Sequence, residues 1–443
     1  MYWIVRGAVW LGAYMFLILF PLVVGVLVPG NAGGRPFAFQ FGVACGFVGL
    51  SVMSFEYALI SKMSALAGAF GQDALLQFHK LMGILATVLL VIHAIFMMLV
   101  GYPLAWLNPL SSEGPVAMRL GAGAAYLVLL LIFLSMFRKK IKLSYGWWQL
   151  SHRFLADAIV LMALAHVLLT GGFSSSRAMR VALALYYSVL LAIGIRTRIV
   201  RPLRLWSQKW EIVENRVESG DSRTLVLKPH NHEGFTFEPG QFAWLNTGRT
   251  PIHKDRHPIS FSSCAYDDKG GQIAFTIRNL GDWSGQEVPT LKPGQLVWVD
   301  GPYGVFTADR EQGMGYVLFG GGVGITPMMS ICSTLAERGD QRPVILFFAS
   351  NDMAGLTFAE QLRALEHRMN LKVVFVLKRP PQEWAGETGL ITKQLIQKYL
   401  PPHYKRYQYF ICGSPPMMDA IEDILPTLGV PPQRVHSERF DLV

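Results

Sequence analysis

The stretch HKLMGILATVLLVIH, residues 79–93, begins and ends on histidine around a largely apolar interior, and HRFLADAIVLMALAH, residues 152–166, repeats the pattern. Each holds 13 residues between its histidines. On an α-helix, 14 residues advance about 21 Å and return to within roughly 40° of the starting azimuth. His79 and His93 therefore project from one helix face at two depths, and so do His152 and His166. Two such helices side by side present two histidine couples, stacked. A pair of neutral imidazoles facing each other across a gap is what a six-coordinate haem iron takes. The alternative is four interfacial or core histidines, since a single histidine on an apolar helix is usually satisfied by its surroundings, and His79 and His152 lie near helix starts. Ionisable groups inside membrane helices are costly. Identical spacing on two helices favours ligation, and with it a two-haem wire across a membrane.

The chain has 443 residues, 51% of them hydrophobic and 16% charged, and a net charge of +10. The apolar bias sits in the first half; the second reads as an ordinary soluble chain. The basic residues cluster beside apolar runs as membrane flanks do, which argues against nucleic acid as a partner. Cys45, Cys264, Cys332 and Cys412 show no paired spacing, so a disulfide framework, a zinc site and an iron–sulfur cluster are not expected. The first apolar run reads as a retained anchor rather than a cleaved signal.

Six runs are long enough to span a bilayer, at 8–28, 37–60, 75–100, 118–137, 150–170 and 179–198. Arg138, Lys139, Lys140 and Lys142 follow the fourth, and Arg196, Arg198, Arg201 and Arg204 follow the sixth. Arg6 precedes the first and Lys62 follows the second. The opposite loops carry little beyond Arg35, Glu113, Arg177 and Arg180. The positive-inside rule then puts both termini in the cytosol. Spans three and five run in the same direction, so His79 pairs with His152 near the cytosolic face and His93 with His166 near the outer face. Two irons about 20 Å apart follow from the helix rise. Gly83, one turn from His79, reads as a helix-packing residue or as room for a flat macrocycle. Glu56 reads as a solvated interfacial charge.

From Trp206 the periodicity shifts to strands. WEIVENRVES and SRTLVLKP form an expected hairpin, followed by PGQFAWLNT, RHPISFSS, IAFTIRNLGDWS and GQLVWVDGPYGVF. At Tyr316, YVLFGGGVGITPMMSI reads as a buried strand, a glycine-rich turn and a helix start. Gly320, Gly321, Gly322 and Gly324 would let the backbone approach a pyrophosphate, and Thr326 and Pro327 open a helix whose N–H groups favour anions. VILFFAS, KVVFVL and YQYFICG follow with helices between, the alternation of a parallel sheet wound with helices. The turn departs from Gly-x-Gly-x-x-Gly; its context carries the reading.

Together these motifs resemble the NADPH oxidase and ferric reductase family of transmembrane flavocytochromes, whose cytosolic half is similar to ferredoxin–NADP reductases. The resemblance covers nearly the whole chain. It implies a six-helix transmembrane bundle (1–205), then an FAD-binding antiparallel β-barrel (206–310), then a nicotinamide-binding α/β domain with a parallel sheet (311–443). HPIS resembles the family's flavin motif, so His257, Pro258, Ile259 and Ser260 would line the FAD. IRNLGDWS resembles the pyrophosphate segment, giving Arg278, Gly281, Trp283 and Ser284. Guanidinium suits a bidentate phosphate contact. GPYG, 301–304, resembles the turn that ends the barrel. Cys412 and Gly413 resemble the Cys-Gly at the hydride-transfer position, with Cys412 a small buried residue rather than a nucleophile. Phe440 resembles the terminal aromatic that covers the flavin until nicotinamide displaces it, although three residues follow it here.

The resemblance implies transfer from NADPH through FAD and two haem b groups to an acceptor outside a bacterial inner membrane. Oxygen, giving superoxide, is the leading acceptor. A ferric chelate, or a periplasmic partner protein fed by an electron-transfer module, are the alternatives. Met97 stands where the eukaryotic oxidases carry an extra histidine, and those enzymes have one residue fewer between the histidines of span five. The chain is thus nearer bacterial oxidases and ferric reductases. No calcium-loop pattern precedes the first span and no proline-rich tail is present, so no regulatory subunit is expected and activity is constitutive. The longest outer loop, 101–117, offers Trp106 and Glu113 and favours a small-molecule acceptor. For the nicotinamide, Ser350, Asn351, Lys378 and Arg379 stand where a 2′-phosphate is read, Asp352 opposes it, and family grounds favour NADPH over NADH.

Overall fold

A computed structural model describes residues 2–27, 35–60, 72–171, 176–251, 256–266, 271–311 and 313–440. Lys62 and the last three residues lie outside them. The chain divides into two compact units at Pro202–Leu203.

The first unit is helical: α1 (Tyr2–Leu27), α2 (Phe37–Leu59), α3 (Gln72–Leu99), α4 (Val116–Phe137), α5 (Tyr145–Thr170) and α6 (Arg177–Ile195). A wider turn at Arg196–Val200 carries α6 into a short α7 (Arg201–Ser207). Among the described residues, six helices are long and apolar enough to cross a membrane. The most apolar window of α2 is 44% buried, against 6% for that of α3 and 11% for that of α5. α2 is therefore the enclosed member, while the other two turn most of their apolar surface outward. It packs closely because it is small where α3 crosses it. A β-carbon at Gly42, Gly46 or Gly49 would strike Met97 and Phe96, the His93 ring, or Leu90, and small residues are how helices approach in an apolar medium. α4 does the same for α5, with Gly121 against His166 and Gly123 against Met162. Gly83 has nothing within 4 Å of its missing β-carbon. The packing expectation for that glycine is wrong, and the close approaches lie on the two neighbouring helices.

The second unit holds two sheets. β1 (Lys209–Glu218), β2 (Ser222–His230), β3 (Phe242–Asn246), β4 (His257–Ser260), β5 (Ile273–Arg278) and β6 (Leu296–Tyr303) form an antiparallel sheet in the order β4-β3-β6-β1-β2-β5. A bridge between Phe261 and Phe275 brings the two edges together. Trp210, Ile212, Leu225, Leu245, Phe275 and Val297 fill the interior. The expected strand 273–284 ends early, at Arg278. Trp283–Glu287 is a helical turn, because the Ser284 hydroxyl accepts from the N–H groups of Leu280 and Gly281 and turns the chain off the sheet.

The other sheet is parallel, in the order β10-β9-β8-β7-β11-β12, from β7 (Tyr316–Gly321), β8 (Val344–Ser350), β9 (Leu371–Leu377), β10 (Glu387–Thr388), β11 (Gln408–Cys412) and β12 (Val435–Ser437). The helices α8 (Ile325–Glu337), α9 (Ala359–Glu366), α10 (Lys393–Tyr399) and α11 (Pro415–Thr427) connect them. Apolar clusters cover both faces, one around Leu318, Leu346 and Phe410, the other around Phe319, Phe347 and Ile411. This is why the central strands read as unbroken apolar runs. β10 and β12 are too short to show in the sequence.

Candidate functional site

The four histidines meet in the pairs their spacing predicts. The rings of His79 and His152 have centroids 6.1 Å apart, crossing at 71°; those of His93 and His166 are 6.3 Å apart, crossing at 73°. A metal between two imidazoles needs two bonds of about 2 Å, each extended by roughly 1.1 Å from nitrogen to ring centre, which totals about 6.2 Å. Both couples match that separation.

The remaining ring nitrogens are held from outside. His93 Nδ1 donates to the Gly42 carbonyl on α2 at 2.8 Å, and His166 Nδ1 to the Ala117 carbonyl on α4 at 2.8 Å. A carbonyl only accepts, so Nδ1 carries the proton and Nε2 is left with its lone pair for the gap. In each case the glycine beneath the ring lies four residues beyond that carbonyl, Gly46 and Gly121. His79 Nδ1 is bonded to the Glu56 carboxyl on α2, and His152 Nδ1 lies 3.4 Å from the Ser135 hydroxyl on α4. Both α3 histidines are thus held by α2, and both α5 histidines by α4. Among the described residues no cluster of three or more His, Cys, Asp or Glu could hold a metal ion. Each couple offers two imidazole nitrogens, and a flat macrocycle would supply the remaining ligands.

The solvated reading of Glu56 is incorrect. Its side chain is 12% exposed, one oxygen is on His79, and the other, Oε1, is buried without a partner. Nearby, Asp157 accepts from the Tyr57 hydroxyl at 2.7 Å and pairs with Arg198, which also donates to the Arg153 carbonyl at 2.8 Å. The sequence signal for this cluster was an acid inside an apolar span, five residues past His152.

In the second unit the motif residues converge where the two sheets meet. Gly322 takes φ +55°, and a β-carbon there would lie 2.9 Å from an Arg278 nitrogen, so the barrel's arginine reaches the glycine-rich turn. A β-carbon at Gly324 would lie 2.2 Å from the Cys412 carbonyl, and one at Gly321 would strike Met417. Gly324 is required by packing against the end of β11, Gly321 lies under the Met417 side chain of α11, and Gly320 packs on Ile325. Thr326 donates to the Val323 carbonyl at 2.9 Å, and it and Pro327 are buried in the first turn of α8. Gly413 lies against Gly321.

On the barrel side, the His257 ring stacks on Trp283 at 3.8 Å, and Trp283 Nε1 donates to Thr247 at 2.9 Å. Pro258, Ile259 and Ser260 run along β4 opposite Trp244, Ala243 and Phe242. Gly281 faces open space. Phe440 meets Phe242 edge to face at 5.6 Å. Burial, then the neighbouring Glu438, pushes the Cys412 thiol well above its ordinary pKa, which disfavours a thiolate. Glu438 itself, 9% exposed and facing Gly304, was missed in the sequence. Only the topology, which sets β12 beside β11, brings it to Cys412.

At the carboxyl ends of β8 and β9, Arg379 donates to Asp352 at 3.3 Å, and the N–H groups of Lys378 and Arg379 bond the Ser350 and Asn351 carbonyls. The five residues named for the 2′ position therefore share one edge.

A family model described as ferric reductase like transmembrane component matches residues 45–163, and one described as oxidoreductase NAD-binding domain matches residues 318–423. The ferredoxin reductase component of 3-ketosteroid-9-alpha-monooxygenase from Rhodococcus rhodochrous is 30% identical, over 51% of this chain and 62% of its own length. NADH-cytochrome b5 reductase 1 from Debaryomyces hansenii is 29% identical, over 38% and 61%. The chain thus spans about three fifths of these relatives. Among solved structures, flavohemoglobin from Malassezia yamatoensis is 16% identical with a TM-score of 0.49, covering 91% of this chain and 99% of that one. The Amycolatopsis cytochrome P450 reductase GcoB is 24% identical with a TM-score of 0.46, over 53% and 69%.

The chain thus joins a ferric reductase-like segment, set among six described helices long and apolar enough to cross a membrane, to a segment that matches an NAD-binding oxidoreductase domain. It carries, in residues 45–163 and 318–423, the two components expected from the resemblance to the NADPH oxidase and ferric reductase flavocytochromes. Its ferric reductase component implies haem, which the paired histidines fit.

Proposed function

We propose that the chain carries electrons from cytosolic NADPH through FAD and two bis-histidine haem b groups to oxygen on the outer side, producing superoxide. The carrying observation is the pair of histidine couples at haem-spanning separation, each with its outer nitrogens anchored. The bound groups supply hydride acceptance at the flavin and one-electron carriage at the irons. The protein's own residues do the rest. Arg278 and the glycine-rich turn hold the cofactor phosphates against each other, and Phe440 stands beside Phe242 as a cover for the flavin ring. His79 with His152, and His93 with His166, would hold the two haems, which would supply one-electron carriage to the acceptor. The basic residues after α4 and within α6–α7 support a bacterial inner membrane location with both termini cytosolic.

The second reading is ferric-chelate reduction by the same path. It is favoured by the family model that matches the bundle. A periplasmic acceptor protein is the third.

Purified protein in detergent, with FAD and NADPH in air, distinguishes them through cytochrome c reduction with and without superoxide dismutase. Suppression of most of the rate by the dismutase is the result expected. NADPH consumption that ignores the dismutase overturns the oxygen assignment and directs anaerobic assays to ferric chelates.

A further inference from the structure

We propose that Glu56 is a positioning residue that sets the order of potentials of the two sites, making the His79–His152 couple the more reducing. The proposal rests on the reading of the four histidines as haem ligands.

The four anchoring contacts are not equivalent. The outer couple has neutral partners only: His93 and His166 each donate to a backbone carbonyl at 2.8 Å, and the Thr170 hydroxyl lies 3.5 Å from His166 Nδ1. The inner couple does not. His152 faces the Ser135 hydroxyl at 3.4 Å, a long contact shared with Trp148 Nε1. His79 faces a carboxyl group. Of the four Nδ1 acceptors, Glu56 alone can bear a negative charge. It is also enclosed by protein, where little solvent screens it.

A carboxylate accepting from Nδ1–H draws the proton away from the ring and makes the imidazole a stronger donor through Nε2. A stronger donor stabilises the more positive, oxidised metal, and lowers its potential. Arg198 and Arg153 stand near the His152 side of this couple, and Arg198 is already met by Asp157 and the Arg153 carbonyl. Glu56 does not read as a helix clasp. α2 and α3 already close on glycines, and the second carboxylate oxygen has no partner. With the basic flanks marking the His79 end as cytosolic, electrons entering there run downhill to the outer couple.

The test is spectroelectrochemical titration of the haem-loaded full chain in detergent. His93→Ala leaves the inner wave alone and His79→Ala leaves the outer, which assigns them. In the unmodified protein the inner wave lies lower. Glu56→Gln keeps the shape and the hydrogen bond but removes the charge. It is expected to raise the inner wave by at least tenfold in electron partition, about 59 mV for a one-electron couple. The outer wave stays in place and both sites remain low-spin. An inner wave at or above the outer one in the unmodified protein, or a Glu56→Gln variant with both waves unmoved or shifted equally, overturns the proposal alone. A protein that binds fewer than two six-coordinate haems overturns the ligand reading and the proposal with it.

Discussion

The imidazole of His166 rests on Gly121 so closely that a β-carbon there would lie 2.7 Å from Nδ1. The ring's position is therefore set by what the facing helix lacks. Gly121→Ala should push the ring off its line to His93, at an overpacking cost of about 1–3 kcal/mol. The expected result is loss of one haem of two, read by pyridine haemochrome against protein. Gly83→Ala, in open space, should leave the ratio unchanged; equal losses in both variants would refute the packing argument.

Gly324 meets the Cys412 carbonyl more tightly still, and backbone gives way less readily than a side chain. Gly324→Ala should displace the glycine-rich turn, at about 2 kcal/mol or more, and raise the KM for nicotinamide at least tenfold, about 1.4 kcal/mol of binding. Gly12→Ala on α1, which meets nothing, serves as the control. Steady-state kinetics with the two variants side by side settles the point.

Arg379 is mostly exposed and its guanidinium pairs with Asp352. If it reads the 2′-phosphate, Arg379→Ala should raise the KM for NADPH roughly tenfold and leave NADH and kcat alone, as loss of uniform binding does. A parallel rise for NADH would show that the residue merely supports the edge.

His436 sits between Gln408, at 3.1 Å, and Glu311, at 3.7 Å. Burial pushes its imidazole down to about 4. The folded state thus binds this proton less readily than the unfolded chain, whose histidine titrates near 6.5. The associated stability is fully present above about pH 6.5 and is lost as the pH falls toward about 4, by at most about 3 kcal/mol, with Glu311 reducing the loss. Thermal unfolding of the second unit should show this slope, and His436→Gln should flatten it. An unchanged slope would assign the acid sensitivity elsewhere.

The histidine couples were legible in the sequence because a helix converts spacing directly into azimuth and depth. His79, His93, His152 and His166 needed the helix period and the charge bias of the loops to be paired. Their supports were not legible, because they come from helices that cross at positions set by packing. Gly42 and Ala117 act through backbone carbonyls, which no residue type announces. Glu56 looks like a span-end charge until α3 is laid against α2. In the second unit the glycine-rich turn stood out, but its glycines divide by function only once β11 is in place. The early end of β5 depends on one serine hydroxyl, and an apolar–polar pattern does not distinguish such a turn from a strand. Glu438 is reached only through the order of the sheet.

The separation of ligands from their supports has a consequence for how such a chain can change over evolutionary time. The paired histidines lie on α3 and α5, and the shortest contact to each outer nitrogen comes from α2 or α4, with Thr170 of α5 adding a 3.5 Å contact to His166. Substitutions at the contacting side chains Glu56 and Ser135 can drift without moving the histidines, whereas the glycines beneath the rings, Gly46 and Gly121, cannot. The route stays fixed while the gradient along it is free to vary, so close relatives with the same four histidines can serve acceptors of quite different oxidising strength.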